Sequence, residues 1–195
     1  MDCSIQELIK FDREKPMASF GQQLLIAMMS VIANNILFNV IINLLPDDHM
    51  DEYHEDVRQE FSNIRKKAVS PFIFGISELV NGGIYAPIVE ELFFRFLLFK
   101  LVFVKVFRIH PQSANILQAI VFGLMHMSNV VASEQQLKKT MLQTLSATIG
   151  GLISGWSYMY TNSLLTPIMS HMINNIISTG LDSIEYSMYY TKHSV

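Results

Sequence analysis

The feature that most constrains this chain is an uncharged apolar segment that runs from Leu24 to Leu45. A helix of that length can cross about 30 Å of hydrocarbon. Other apolar stretches follow, and 50% of all residues are hydrophobic whereas only 16% are charged. Soluble domains usually carry about 25% charged residues. The composition therefore predicts an integral membrane protein in contact with lipid.

The remaining apolar stretches predict several more helices. We expect helices at about 71–83, 86–107, 113–131, 140–160 and 166–180. The break between the first two is assigned to Gly82, Gly83 and Pro87, because proline kinks or opens a helix. Only helices and closed barrels satisfy the backbone in lipid, and the ten-residue alternation of barrel strands is absent. The prediction is an all-α, multi-pass bundle of about five to six transmembrane helices.

Composition divides the chain into three parts. Residues 1–70 would hold an interfacial segment, the first transmembrane helix and a polar loop. Residues 71–182 would form a helix bundle, and residues 183–195 a polar tail. The single cysteine, Cys3, excludes an intrachain disulfide and a cysteine metal cluster. The lack of a basic stripe argues against a nucleic-acid partner.

Two stripes of residues four apart predict how helices pack. The first consists of asparagines, and we expect it to hydrogen-bond to another helix. The second consists of small residues, which let two helix backbones approach closely. The members are Asn35, Asn39 and Asn43 in the first stripe, and Ala147, Gly151 and Gly155 in the second.

The segment PIVEELFFRF, residues 87–96, places three ionisable groups inside an apolar run. Such groups cost about 2.5–3.5 kcal/mol each at membrane depth on insertion scales, and they usually face the bundle interior. Glu91 and Arg95 are one helical turn apart and can pair. Glu90 points about 100° away from Glu91, so it is left as a candidate general base. The alternative is that all three form one structural ion network.

Two further motifs carry polar side chains on apolar helices. Phe122 lies one turn before His126, and His171 lies one turn before Asn175, while Asn174 points elsewhere. Histidine and asparagine can both donate hydrogen bonds, and two adjacent donors can form an oxyanion hole. The alternative for each motif is hydrogen bonding that only holds helices together.

Together these residues are sufficient for peptide hydrolysis without a nucleophilic side chain. Glu90 and His126 can hold and deprotonate a water, and His171 and Asn175 can stabilise the tetrahedral oxyanion. A GxSxG serine elbow is absent from the sequence, and Cys3 lies outside every predicted helix.

These motifs resemble the three signatures of the type II CAAX prenyl endopeptidase family, also called the CPBP or Abi family of intramembrane endopeptidases. The signatures are Glu90-Glu91-x-x-x-Arg95, Phe122-x-x-x-His126 and His171-x-x-x-Asn175, and the resemblance covers about residues 84–180. It implies packed transmembrane helices around a membrane-embedded cavity. It also implies catalysis by Glu90 and His126, with Glu91 and Arg95 supporting the site.

The resemblance also bears on substrate and metal. It implies a peptide or protein substrate, with prenylated proteins and leader peptides as candidates. Glu90, His126 and His171 could offer three ligands to zinc with one position open, but HExxH spacing is absent, so a metal-free glutamate mechanism is favoured. Phe96 stands where many members carry glycine, which affects the expected shape of the cavity.

Two other classes compete with the enzyme. A non-catalytic membrane immunity or peptide-binding protein would keep the polar core for stability alone. A small transporter or channel would favour a polar file through the bundle, for which the asparagine stripe is the only indication.

Overall fold

The computed structural model describes residues 8–43, 47–67, 69–129 and 137–192, and every regular element in those ranges is helical. The all-α prediction is therefore confirmed, while Cys3 lies outside the described residues. The α-helices are α1 (Phe20–Ile42), α2 (Asp47–Lys66), α3 (Pro71–Glu78), α4 (Ala86–Glu91), α5 (Pro111–Met125), α6 (Leu137–Thr161) and α7 (Leu165–Lys192).

Residues 71–106 form one unbroken helical run, so the prediction of separate helices at 71–83 and 86–107 was wrong. A π-helical stretch, Leu79–Tyr85, joins α3 to α4, and a second, Leu92–Val106, follows α4. Gly82 and Gly83 lie inside the first π-helical stretch and do not end the helix. Pro87 lies in the first turn of α4, where a missing backbone N–H is tolerated.

The polarity of the described residues is inverted relative to a soluble domain. Buried polar or charged residues outnumber buried hydrophobic ones, sixteen to twelve. Large aliphatic and aromatic side chains are exposed along α1, the run 71–106, α5 and α7. By length and composition, α1 is the one described helix that qualifies as a membrane span, and its most apolar window has a mean hydropathy of 2.1.

The asparagine stripe on α1 is only partly interhelical. The Asn35 amide donates to the Asn174 side-chain oxygen on α7, at 3.2 Å. The Asn39 amide instead donates to the Asn35 carbonyl of its own helix, at 2.8 Å. The prediction of a bond between helices thus holds for Asn35 and not for Asn39.

Helices α5 and α6 approach closely, as the stripe of small residues predicts. A Cβ at Gly151 would lie 3.1 Å from the Ala119 Cα, and a Cβ at Gly155 would overlap the Asn115 side chain. The Asn115 amide donates to the Leu152 carbonyl across this interface, at 3.0 Å. Because the glycines of α6 have no side chains, polar side chains from α5 fit against that helix.

The segment 8–18 crosses one end of the bundle, where α6 ends and α7 begins. The Asn162 amide donates to the carbonyls of Asp12 and Lys15, both at 2.8 Å. Asn162 has a positive φ of 52°, a conformation that asparagine tolerates better than most residues. The Phe11 ring packs against Phe99, with centroids 5.1 Å apart. This segment therefore connects the α6–α7 junction to the second π-helical stretch.

The last helix extends beyond its predicted end. We expected α7 to stop near Gly180 and a polar tail to follow, yet the helix continues to Lys192. The reason is burial of Tyr186, which packs with Val57 and Phe61 of α2 in one cluster. The Tyr186 hydroxyl also donates to the Val69 carbonyl, at 2.8 Å.

We predict that Gly155→Ala destabilises the fold by about 1–3 kcal/mol, because the new methyl group overpacks the contact with Asn115. The matched control is Gly180→Ala, since nothing lies within 4 Å of a Cβ at that helical position. The control should be neutral or up to about 1 kcal/mol stabilising. Unfolding of both proteins in detergent measures the difference, and equal stability would contradict the packing described for α5 and α6.

Candidate active site

A buried ion pair connects α4 to the π-helical stretch that follows it. Glu91 and Arg95 have no exposed side-chain surface, and Arg95 Nε lies 3.0 Å from Glu91 Oε2. The atoms are close enough for an ion pair but not aligned as a hydrogen bond. A buried carboxylate or guanidinium alone would be strongly destabilising, so each charge requires the other.

His171 on α7 lies between the two adjacent glutamates. Its Nδ1 is 2.9 Å from Glu91 Oε1, and its Nε2 is 3.8 Å from Glu90 Oε2. Glu91 has no exposed surface, whereas the Glu90 side chain is 32% exposed and that of His171 is 15% exposed. A carboxylate can only accept, so Nδ1–H donates to Glu91. The inner glutamate therefore orients the imidazole, while the outer glutamate can be reached by a small molecule.

The Phe122 ring on α5 contacts Arg95, His126 and His171. The Arg95 guanidinium carbon lies 4.4 Å from the centre of the Phe122 ring, within range of a cation–π interaction. The His126 and His171 rings stand edge-on to the same ring, with centroids 5.0 and 5.9 Å away. Two histidines from different helices are thus brought to one phenylalanine.

The orientation of His126 is set by its own helix. His126 begins a short 3₁₀ turn, His126–Ser128, and its Nδ1 lies 2.9 Å from the Phe122 carbonyl oxygen. Because a carbonyl only accepts, Nδ1 carries the proton in this contact. In the neutral ring Nε2 then has a lone pair and can accept a proton.

Asn175 binds a backbone carbonyl that Pro87 leaves without a partner. The Ala86 N–H bonds to the Asn81 carbonyl five residues earlier. In the same ladder the Gly82 carbonyl would accept from residue 87, but proline has no N–H. The Asn175 side-chain nitrogen donates to this carbonyl instead, at 2.9 Å.

The structure joins most of the side chains that the sequence singled out in a series of contacts. Glu90, Glu91 and Arg95 connect to His171, and His171 shares the Phe122 ring with His126. His171 and Asn175 lie one turn apart, yet their hydrogen bonds go to Glu91 and to Gly82. Asn174 points away, toward α1, as its position in the motif predicts.

Comparison with known protein families places this chain in a family. The family model described as type II CAAX prenyl endopeptidase Rce1-like matches residues 61–177, which is more than half of the chain. The chain belongs to the type II CAAX prenyl endopeptidase family. The match includes all seven residues of the three motifs, and the resemblance seen in the sequence is confirmed. Neither a curated protein nor a solved structure matches the chain.

Members of the CAAX endopeptidase family are membrane proteins with peptidase activity. The part of the match inside the described residues begins at Phe61 on α2 and ends at Ile177 on α7. The match therefore covers both π-helical stretches, His126 directly after α5, and His171 near the start of α7.

The ligand geometry for a metal ion is poor in this member of the CAAX endopeptidase family. Across the described ranges, no group of three His, Cys, Asp or Glu side chains is arranged to hold one. The zinc triad considered from the sequence, Glu90 with His126 and His171, does not fit the arrangement.

Lys100 is a buried charge in the second π-helical stretch that no sequence motif indicates. Its side chain is 3% exposed, and Nζ donates to the Leu8 carbonyl at 2.8 Å. Nζ also lies 4.9 Å from the centre of the Phe96 ring. The spacing of five residues between Arg95 and Lys100 is the indication in the sequence, since an i→i+5 ladder brings residues five apart closer to one face than an α-helix does.

We predict that Arg95→Met costs about 3–5 kcal/mol, because it leaves the buried Glu91 carboxylate without its cation. Adding Glu91→Gln should recover part of that loss, since the uncompensated charge is then removed. The matched control is Arg58→Met, which breaks an exposed Arg–Glu pair and should cost less than about 1 kcal/mol. Unfolding measurements on the three proteins test the claim, and equal losses for Arg95→Met and Arg58→Met would contradict it.

Proposed function

We propose that this protein is a multi-pass intramembrane endopeptidase that hydrolyses a peptide bond by direct attack of water. The observation that carries the proposal is the position of His171 between Glu90 and Glu91, inside a bundle whose surface is apolar. Membership of the CAAX endopeptidase family supports the reaction class.

The inverted polarity supports five membrane crossings: α1, the run 71–106, α5, α6 and α7. Apolar side chains such as Ile116, Ile120 and Leu124 cover the outer face of α5, while Asn115 and Gln118 are buried. An aqueous environment disfavours exposed apolar side chains and buried polar ones. A lipid environment favours this arrangement, because polar groups then pair inside the bundle. The partly exposed side chains of Glu90 and His171 are the proposed lining of an intramembrane polar cavity.

In the proposed reaction, Glu90 and His126 orient one water. The partly exposed Glu90 carboxylate accepts one hydrogen of the water, and His126 Nε2 accepts the other. Glu90 takes a proton as the water oxygen bonds to the peptide carbonyl carbon. The C–N bond then breaks, and the leaving nitrogen receives that proton. No step requires a covalent intermediate with the protein.

His171 and Asn175 are the proposed donors to the tetrahedral oxyanion. Because Nδ1–H of His171 already donates to Glu91, His171 can donate through Nε2 only as the imidazolium. Asn175 uses one amide hydrogen for the Gly82 carbonyl and keeps a second. The two donors belong to adjacent turns of α7, which suits a shared acceptor. Glu91 and Arg95 support this arrangement by holding His171.

The proposed substrate is a peptide or protein that reaches the site through the membrane. Prenylated proteins and leader peptides both present apolar segments that an apolar bundle surface can admit. The mechanism is proposed to be metal-free, because the Glu90, His126 and His171 side chains are not arranged as three ligands.

We predict that Glu90→Gln abolishes cleavage while the protein remains folded, because glutamine cannot accept the proton of water. The matched control is Glu185→Gln, an exposed glutamate on α7, which should cleave like the native protein. Both variants are reconstituted in liposomes and assayed on a library of membrane-associated peptides by mass spectrometry.

Retained cleavage in both Glu90→Gln and His126→Ala would contradict the mechanism. A native protein that binds a peptide without cleaving it would favour the non-catalytic immunity or peptide-binding class instead. In that case Glu90→Gln should leave peptide binding unchanged.

A further inference from the structure

The outer edge of the Arg95 guanidinium points into the protein interior. Arg95 has no exposed surface, and neither Nη1 nor Nη2 has a hydrogen-bond partner among the described residues. The ion pair with Glu91 joins Nε to the Glu91 Oε2 atom. Stacking on Phe122 engages the face of the guanidinium and leaves its in-plane donors unused.

A buried acceptor on α5 is in the same condition. Gln118 has no exposed surface, and its Nε2 donates to Asn115 Oδ1 at 2.8 Å and to the Gly151 carbonyl at 2.9 Å. Those two acceptors fix the orientation of the amide, because a flipped Gln118 would direct oxygen at two oxygens. In this orientation Oε1 has no partner.

Phe122 and Gly151 connect the two groups. Gln118 and Phe122 are one turn apart on α5 and share a face. Gln118 donates to the Gly151 carbonyl, and a Cβ at Gly151 would lie 3.3 Å from the Phe122 ring. The Arg95 guanidinium stacks on that same ring. The Arg95 guanidinium thus lies on the Phe122 ring, and Gln118 lies one helical turn from Phe122 and bonds to Gly151, which packs beside that ring.

We propose that Arg95 Nη1 and Nη2 and Gln118 Oε1 form a binding site for buried water behind Glu91. An unsatisfied buried donor or acceptor costs about 1–3 kcal/mol, and buried polar groups without protein partners are normally bonded to ordered water. Water matches the chemistry because it accepts from arginine and donates to glutamine. Gln118 is then a positioning residue for Arg95, which no sequence motif indicates.

The site deepens the proposed hydrolysis and rests on it for its functional consequence. Water held on Nη1 and Nη2 fixes the plane of the guanidinium, and the guanidinium fixes Glu91. Glu91 in turn orients His171 through Nδ1. Loss of the water should therefore slow the chemical step and leave substrate binding unchanged.

The direct test is a structure of the full chain in lipid at a resolution that shows water. We expect ordered water within hydrogen-bond distance of Arg95 Nη1 or Nη2 and of Gln118 Oε1 in the native protein. Only carbon atoms or protein acceptors around the guanidinium edge would overturn the proposal. This outcome does not depend on activity, so it separates failure of the water site from failure of the proposed function.

Kinetics test the positioning role. Gln118→Met removes the acceptor at similar volume and should lower kcat about tenfold at unchanged KM. Gln23→Met is the matched control, because Gln23 is also a buried glutamine with an unpaired Oε1 but lies on α1. Equal kcat loss in Gln118→Met and Gln23→Met would overturn the positioning role.

Discussion

The contact on which this structure depends is the buried chain of charges from Arg95 through Glu91 to His171. Each member is costly to bury alone, and the Arg95–Glu91 pair alone leaves Glu91 Oε1 without a donor. His171 supplies that donor from α7, so satisfying the acid fixes a second helix. The same bond leaves His171 Nε2 facing the more exposed Glu90. A requirement of stability in an apolar medium thereby positions the atoms that the proposed reaction uses.

A second constraint acts through the backbone. Pro87 removes the N–H that would reach the Gly82 carbonyl, and Asn175 replaces it. One turn of α7 therefore binds the first π-helical stretch through Asn175 and the Glu91 carboxylate through His171. The π-helical stretches shift the register of residues 71–106, and Lys100 is buried within the second of them.

The sequence predicts the helical class because apolar length and small-residue stripes are local signals. It also predicts the Glu91–Arg95 pair, since both residues lie one turn apart on one helix. It could not predict that Asn175 binds the Gly82 carbonyl, because that bond depends on an unexpected π-helical turn. The end of α7 was missed for a similar reason, as burial of Tyr186 against α2 is a long-range contact.

The central claim is that one imidazole, that of His171, lies between two glutamates with a different nitrogen facing each. Solid-state NMR of the nitrogen-15-labelled imidazoles in lipid bilayers tests it directly. We expect Glu91→Gln to shift the Nδ1 resonance of His171 and Glu90→Gln to shift its Nε2 resonance, with His110 unchanged in both. Unchanged His171 resonances, or shifts of the same nitrogen in both variants, would contradict the account.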